Sequence, residues 1–207
     1  MTGSTHADSL ALPDDITTKQ EFYKHVSTTL QHLVEPVTRG DGSDNLITVA
    51  SNTASLLFGS FENFSQVWGT QPGKRVNWAG FYFHPTLLRS KSSTPVSSKP
   101  DKLILGPFHG RPACNSVSLR SKTLGVCAAA FESRQTIVVP DVNNRPGHIA
   151  CDGVTQSEIV VPIMVNGLAI GVLDVDCEQL NGFEHEQDQK GLEQFVQVFV
   201  KAVDWQL

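Results

Sequence analysis

The stretch that decides the fold is IVVPIMVNGLAIGVLDV, residues 159–175, in which two apolar runs flank the dipeptide Asn166-Gly167. Asn and Gly tolerate the positive φ angles of a type I′ turn, so the pattern predicts a β-hairpin with strands over 159–165 and 168–175. Both faces of each strand are largely apolar, which is typical of strands that are covered on both sides. We therefore expect the hairpin at the centre of a sheet, with helices packed against it.

Helices and further strands are predicted on both sides of the hairpin. Thr18 and Glu21 form a capping box, and apolar residues then recur at helical spacing as far as Pro36, which we expect to end the helix. Helical patterns recur over 45–58, 123–134 and 188–205, and strand patterns over 76–83, 103–108 and 136–139. This order predicts one α+β domain built on a central, mostly antiparallel sheet flanked by helices.

The domain boundaries follow from composition. Residues 1–15 are polar and unpatterned, so we expect a flexible tail followed by a domain over 16–207. Residues from about 85 to 100 are rich in Ser, Lys and Pro, which predicts a polar insertion.

Charge and composition exclude several classes of function. The chain has 207 residues, of which 40% are hydrophobic and 18% charged, as in globular proteins. A net charge of −5 without Lys/Arg runs argues against nucleic acid or an anionic membrane as a partner. No apolar stretch reaches the roughly 18 residues of a membrane span, and the first residues do not resemble a secretion signal. We expect a cytoplasmic protein, with the nucleus left open as a second compartment.

Cysteines are the first candidates for chemistry. The chain has Cys114, Cys127, Cys151 and Cys177. Their gaps of 13, 24 and 26 residues match no familiar zinc spacing, so no metal site is expected. Stable disulfides are uncommon in a reducing compartment, which leaves redox chemistry or core packing.

Local surroundings separate the four cysteines. Cys114 and Cys151 lie in predicted loops, and Arg145 and His148 are close enough in sequence to favour a Cys151 thiolate. The other two lie in an Ala-rich helix and directly after a buried strand, where a small apolar core residue is the simpler interpretation.

Three acids form a second candidate site. Asp174 and Asp176 lie two residues apart on one strand and share a face, and Glu158 begins the partner strand. They could form a pocket for a cation, a metal or a proton donor, or they could mark a solvated strand end. A strict two-residue turn would pair Ile159 with Asp174 and point Glu158 to the other face, so a single acidic cluster requires a bulge or an equivalent irregularity.

Two aromatic residues could line a pocket. Trp78 and Tyr82 lie four apart on a predicted strand and face the same way, as either pocket walls or core.

Five segments together resemble one enzyme family. They are NWAGFY (77–82), GPFHGRPAC (106–114), LGVCAAA (124–130), VPDVNNRPGHIACDGVTQSEIVVPI (139–163) and GVLDVDC (171–177). The chain resembles the free methionine-(R)-sulfoxide reductases, which are single GAF domains. The resemblance implies a GAF-like fold and an oxidoreductase that acts on a sulfoxide with a disulfide as acceptor, in the defence against oxidative stress.

The resemblance also assigns roles to the cysteines. Cys151 matches the family nucleophile, which takes the sulfoxide oxygen and becomes a sulfenic acid, and Cys114 matches the main resolving cysteine. Cys127 matches a third family cysteine, although the segment between it and Cys114 is longer than usual. Thioredoxin would reduce the resulting disulfide, so no bound cofactor is needed. The resemblance further implies a homodimer.

The same resemblance places the remaining candidates around free methionine-(R)-sulfoxide. Glu158, Asp174 and Asp176 match pocket carboxylates that would meet the substrate's ammonium group and sulfoxide oxygen. Trp78 and Tyr82 match aromatic residues that would pack its methylthio end. The alternative from another class is a GAF domain that senses a small molecule without chemistry.

Overall fold

The structure is a computed structural model that describes residues 9–38, 45–88, 99–148, 152–205 and 207, with the backbone alone over 35–38. Its six strands are β1 Val76–Phe83, β2 Lys102–Gly110, β3 Ser116–Ser118, β4 Ile137–Val139, β5 Ser157–Val165 and β6 Leu168–Cys177. They form one sheet in the order β3-β2-β1-β6-β5-β4, and every neighbouring pair is antiparallel. The predicted hairpin is thus inside the sheet, with β6 between β1 and β5.

Four α-helices cover the sheet. They are α1 Lys19–Thr38, α2 Leu46–Asn63, α3 Val126–Ser133 and α4 Gln187–Ala202, and two short 3-10 helices span Pro85–Leu88 and Val142–Asn144. The predicted α+β class is confirmed. None of the helices in the described part of the chain is both long and apolar enough to cross a membrane.

The hairpin turn has the geometry that its sequence predicts. Asn166 and Gly167 have φ angles of 49° and 79°, and Val165 pairs with Leu168 across a two-residue loop. These positive φ angles belong to a type I′ turn, whose twist matches that of the two strands.

A β-bulge follows three residues beyond the turn. Met164 pairs with Ala169 but Ile163 pairs with Gly171, so Ile170 is an extra residue in β6. Gly171 also lies where β1 passes closely, since a Cβ there would stand 2.5 Å from the carbonyl oxygen of Tyr82. Side chains alternate between the faces of a strand, so one extra residue reverses the face of everything that follows it.

Two apolar clusters lie on opposite faces of the sheet. The helix-side cluster joins one face to α1, α2 and α4, and its largest members include Phe22, Phe61, Trp68, Phe81, Phe83, Phe195 and Phe199. The cavity-side cluster joins the other face to α3, and its main members are Trp78, Tyr82, Leu103, Val126, Phe131, Val160 and Val172. Alternate residues of β1 therefore pack into different clusters, which explains why the whole strand is buried.

Several boundaries differ from the expectations. Pro36 does not end α1, which continues to Thr38; the fixed φ of proline is helical, and its missing N–H removes one backbone hydrogen bond from the last turn. The Thr18–Glu21 capping box is confirmed, with each backbone N–H donating to the other residue's side chain at 3.0 and 3.2 Å. β3 was not predicted, since three residues reading Ser-Val-Ser carry too short a pattern.

Two predicted segments fall partly outside the described residues. Residues 1–8 of the expected tail and 89–98 of the expected insertion are not described. Of the rest of the tail, Leu10 and Leu12 pack against the helix-side cluster.

A buried charge network joins α1 to the start of α4. Asp188 is fully buried and accepts hydrogen bonds from the Lys19 ammonium at 2.7 Å, the Tyr23 hydroxyl at 2.8 Å and the Glu184 backbone N–H at 2.6 Å. Lys19 also lies 5.1 Å from the centre of the Trp68 ring. A buried charge of this kind is tolerated only when it is paired.

Asp188→Ala should lower the free energy of unfolding by about 3 kcal/mol, because it leaves the Lys19 ammonium in the core with only the partly exposed Glu184 carboxylate nearby. Urea unfolding would measure the loss. The matched control is Glu186→Ala on the same helix start, where an 88% exposed side chain should contribute at most about 0.5 kcal/mol. Similar losses in both variants would contradict the assignment.

Candidate functional site

A cavity of about 60 Å³ lies between α3 and the adjacent face of the sheet. Its walls are Tyr82, Cys114, Ser116, Val117, Gly125, Val126, Cys127, His148, Thr155, Glu158, Asp174 and Asp176. Six of the eight residues singled out from the sequence are among them. The two others are Trp78, which lies behind the wall, and Cys151, which is outside the described residues.

The bulge in β6 gathers the three acids. Glu158 pairs directly with Asp176, and Asp174 lies two residues earlier on the same face of β6. Glu158 is 5% exposed and Asp174 7%, while Asp176 is half-buried. A solvated strand end, the alternative left open by the sequence, does not fit this burial.

Burial raises the pKa of all three acids, and neighbouring charges add to the effect for two of them. The pKa of Glu158 lies well above its ordinary value because of burial and the charges of Asp174 and Asp176, against an opposing effect of Arg145. Burial likewise raises the pKa of Asp174 to about 6 and, with the Asp174 charge, the pKa of Asp176 well above its usual range. The cluster therefore keeps its protons to a higher pH than isolated acids do, and its members do not ionise together.

Cys127 belongs to the same cluster. It is the second residue of α3, and its thiol donates a hydrogen bond of 3.2 Å to Oδ2 of Asp174. Burial and the nearby charges of Asp174 and Glu158 raise the pKa of the thiol well above its usual value. Cys127 is buried in the cavity-side cluster, as expected of a core residue, and its sulfur also faces the cavity acids.

The side chains of Cys127, Glu158 and Asp174 could in principle hold a metal ion. Their sulfur and oxygen atoms lie within 4.8 Å of one another, which makes them the one such group in the described ranges. A metal would have to displace protons that the raised pKa values retain, so the expectation of no metal site stays a prediction.

Cys114 and the aromatic residues form the opposite wall. The Tyr82 hydroxyl donates a 3.0 Å hydrogen bond to the backbone carbonyl of Cys114, which is half-buried at the cavity. Trp78 stacks on Tyr82 and on Phe108, with ring centres 5.8 and 5.5 Å apart. Gly80 lets this stack form, since a Cβ there would stand 2.2 Å from Phe108 Cβ. Trp78 thus supports the cavity wall from behind.

The segment before Cys151 brings His148 to the acids. Its Nε2 lies 3.6 Å from Oε2 of Glu158. Burial and the charge of Arg145 lower the pKa of His148, so the imidazole is neutral at pH 7. His148 therefore does not supply the positive charge expected to favour a Cys151 thiolate.

Asp152, which follows Cys151 in sequence, is fixed to the sheet. Its carboxylate accepts hydrogen bonds from the backbone N–H groups of Val154 and Thr155 at 2.9 and 3.1 Å and from Asn77 Nδ2 at 3.1 Å. Although burial opposes it, these bonds lower the pKa of Asp152. The spacing Asp-Gly-x-Thr is typical of an Asx-turn and is the sequence pattern that indicates this fixed loop.

Cys177 is separate from the cavity. It is fully buried in the helix-side cluster, and burial raises the pKa of its thiol to about 11. Its expected role as a core residue is confirmed.

Comparisons with known proteins agree with this geometry. The sequence model of the GAF domain matches residues 89–203. The free methionine-R-sulfoxide reductase of Saccharomyces cerevisiae is 35% identical over 97% of this chain and 96% of its own. A solved GAF domain superposes with a TM-score of 0.75, at 35% identity and 99% coverage of both chains. The GAF-like fold predicted from the sequence is therefore confirmed.

A substrate complex is among the similar structures. The free methionine-R-sulfoxide reductase of Neisseria meningitidis, solved with its substrate, has a TM-score of 0.70 and 31% identity. The match covers 93% of this chain and 94% of that one.

Asp174→Asn should stabilise the protein above pH 6. The folded-state pKa of about 6 exceeds the ordinary 3.8, so the folded state retains this proton and the wild-type free energy of unfolding falls as pH rises through that window. Asn does not ionise, so the variant does not lose stability in this way. Between pH 4 and pH 8 its free energy of unfolding should therefore rise by about 2–3 kcal/mol relative to that of the wild type. Urea unfolding across this range would measure the gain.

Asp152→Asn is the matched control, with the opposite sign. The folded state lowers the pKa of Asp152, so its carboxylate stabilises the protein at neutral pH and loses that effect on acidification. The account is wrong if both variants show the same pH trend.

Proposed function

Because the chain belongs to the free methionine-(R)-sulfoxide reductase family of GAF-domain proteins, we propose that it reduces free methionine-(R)-sulfoxide to methionine. The observation that carries the proposal is the convergence of Glu158, Asp174 and Asp176 with two cysteines on one cavity. Burying a cluster of acids costs folding free energy. A ligand that carries a positive charge and accepts a proton would interact favourably with such a cluster.

The acids can select a free amino acid. A free substrate carries an α-ammonium group, whereas a methionine inside a peptide carries a neutral amide. With a pKa of about 6, Asp174 is mainly ionised at pH 7 and supplies the negative charge for that ammonium group. The ring of Tyr82 on the opposite wall provides an apolar surface for the methylthio end.

Glu158 is suited to proton donation. The sulfoxide oxygen gains negative charge when a thiolate attacks the sulfur, and a neutral carboxyl group can protonate it. Burial and two neighbouring acids raise the pKa of Glu158 well above its ordinary value, which favours the protonated form. Nε2 of His148 lies 3.6 Å from the Glu158 carboxyl, and the lowered pKa of this imidazole makes it a poor acceptor for that proton.

The redox steps follow the family resemblance. The Cys151 thiolate attacks the sulfoxide sulfur, the S–O bond breaks as the oxygen transfers, and methionine leaves while Cys151 becomes a sulfenic acid. The Cys114 thiol then attacks that sulfenic acid, which forms a disulfide and releases water. A thioredoxin-type dithiol reduces the disulfide, so the net reaction consumes one dithiol and yields methionine and water.

Cys114 is the better supported resolving thiol. It is half-buried at the cavity, whereas Cys127 is buried against two acids that raise its thiol pKa. The proposal needs no bound cofactor, and it includes a homodimer acting in the cytoplasm.

Purified protein with a thioredoxin system should release methionine from the free R epimer, and hardly at all from the S epimer or a peptide-bound sulfoxide. Cys151→Ser should abolish release. Cys114→Ser should release about one methionine per enzyme and then stall, because the sulfenic acid forms but is not resolved. The amount of methionine released over time measures the wild type and both variants.

Cys177 is a buried cysteine outside the cavity, so Cys177→Ala is the control and should keep sustained turnover. Full turnover by Cys151→Ser would refute the assigned nucleophile. Tight binding of the sulfoxide without any thiol-dependent turnover would instead favour the small-molecule sensor.

A further inference from the structure

We propose that Cys127 is a positioning residue whose thiol holds the Asp174 carboxylate by a hydrogen bond, and that it does not resolve the sulfenic acid. The proposal rests on the function proposed above. The sequence leaves the redox role of Cys127 open, because the segment between Cys114 and Cys127 is unusually long.

The first observation is a short contact between two buried groups. Sγ of Cys127 lies 3.2 Å from Oδ2 of Asp174, and both residues are 7% exposed. The other oxygen, Oδ1 of Asp174, is buried, and the Glu158 carboxyl on the neighbouring strand also hydrogen-bonds this side chain. Cys127 thus holds the carboxylate from α3, while Glu158 contacts it from β5.

Both partners stand on rigid elements. Cys127 is in the first turn of α3, which starts after Gly125 and packs its small residues Ala128 and Ala130 into the cavity-side cluster. Asp174 is in the central strand β6, bonded to β1 on one side and to β5 on the other. A contact between a packed helix and a central strand fixes a side chain more closely than a loop contact does.

The chemistry of the thiol favours donation over nucleophilic attack. Attack on a sulfenic acid requires a thiolate or a thiol that is easily deprotonated. Burial and the charges of Asp174 and Glu158 keep Cys127 protonated. A protonated thiol can donate a hydrogen bond to a carboxylate, and that bond favours the ionised form of Asp174.

Several other titratable groups line the same cavity as Asp174, and of these the Glu158 carboxyl also lowers the pKa of Asp174 through its hydrogen bond. They are Glu158 from β5, Asp176 from β6, Tyr82 from β1, and Cys114 and His148 from the cavity wall. None of them lies on α3, so replacing Cys127 removes the contribution of that helix and keeps theirs. Burial raises the pKa of Asp174, and the hydrogen bond from Cys127 is the largest of the opposing contributions.

A pair of substitutions separates positioning from resolution. Serine keeps a hydrogen-bond donor but cannot form a disulfide, whereas alanine has neither property. If Cys127 positions Asp174, Cys127→Ala should move the acid limb of the kcat/KM profile to higher pH and raise KM about tenfold at pH 7. Cys127→Ser should restore most of both values and should turn over repeatedly with thioredoxin.

The redox alternative predicts a different pattern. A resolving Cys127 would make the serine variant stall after about one methionine per enzyme, as expected for Cys114→Ser. That stall, or an acid limb that stays at its wild-type position in the alanine variant, would overturn the proposal. Cys177→Ala serves as the control for removing a buried thiol, and its pH profile should match the wild type.

Infrared spectroscopy tests the hydrogen bond without turnover. The S–H stretching band of Cys127, identified by its loss in Cys127→Ser, should shift when Asp174 is replaced by Asn. An unshifted band would overturn the proposal. A shifted band in an enzyme that forms no methionine would contradict the proposed function alone and leave the hydrogen bond established.

Discussion

The arrangement of the cavity depends on one extra residue in the central strand. Ile170 forms a bulge in β6, and every later residue of that strand therefore faces the opposite way from an uninterrupted ladder. Without the bulge, Asp174 would share the face of Leu168 and point into the helix-side cluster among aromatic rings. With the bulge, both aspartates meet Glu158 in the cavity, while Ile170 joins the helix-side cluster.

The gathered acids oppose stability and support the proposed chemistry. Burial raises the pKa of all three carboxyl groups, and neighbouring charges raise those of Glu158 and Asp176 further, so the site retains protons to a higher pH than isolated acids do. The rest of the fold tolerates this because the helix-side cluster is large and the Asp188 network ties α1 to α4 away from the cavity. In the proposed function, this one site supplies a carboxylate to an ammonium group and a carboxyl group to a sulfoxide oxygen.

Much of this arrangement could be predicted from local sequence, and the rest depends on contacts between distant residues. The hairpin was predictable because Asn166-Gly167 sets both the turn and its strands, and the acids stood out as polar residues in an apolar strand. The bulge at Ile170 was only one of several alternatives, since no residue there requires it. The contact of Cys127 with Asp174 joins residues 47 positions apart, and it follows from how α3 packs on the sheet.

The bulge brings two aspartates beside the buried Glu158, and their charges together with burial raise the pKa of its carboxyl well above the ordinary range. Carboxyl ¹³C NMR of Glu158 across a pH titration, assigned by comparison with Glu158→Gln, tests this directly. We expect the resonance to keep the chemical shift of a neutral carboxyl group until the pH lies well above the ordinary pKa of 4.5. A Glu158 resonance that titrates near 4.5 would contradict this expectation.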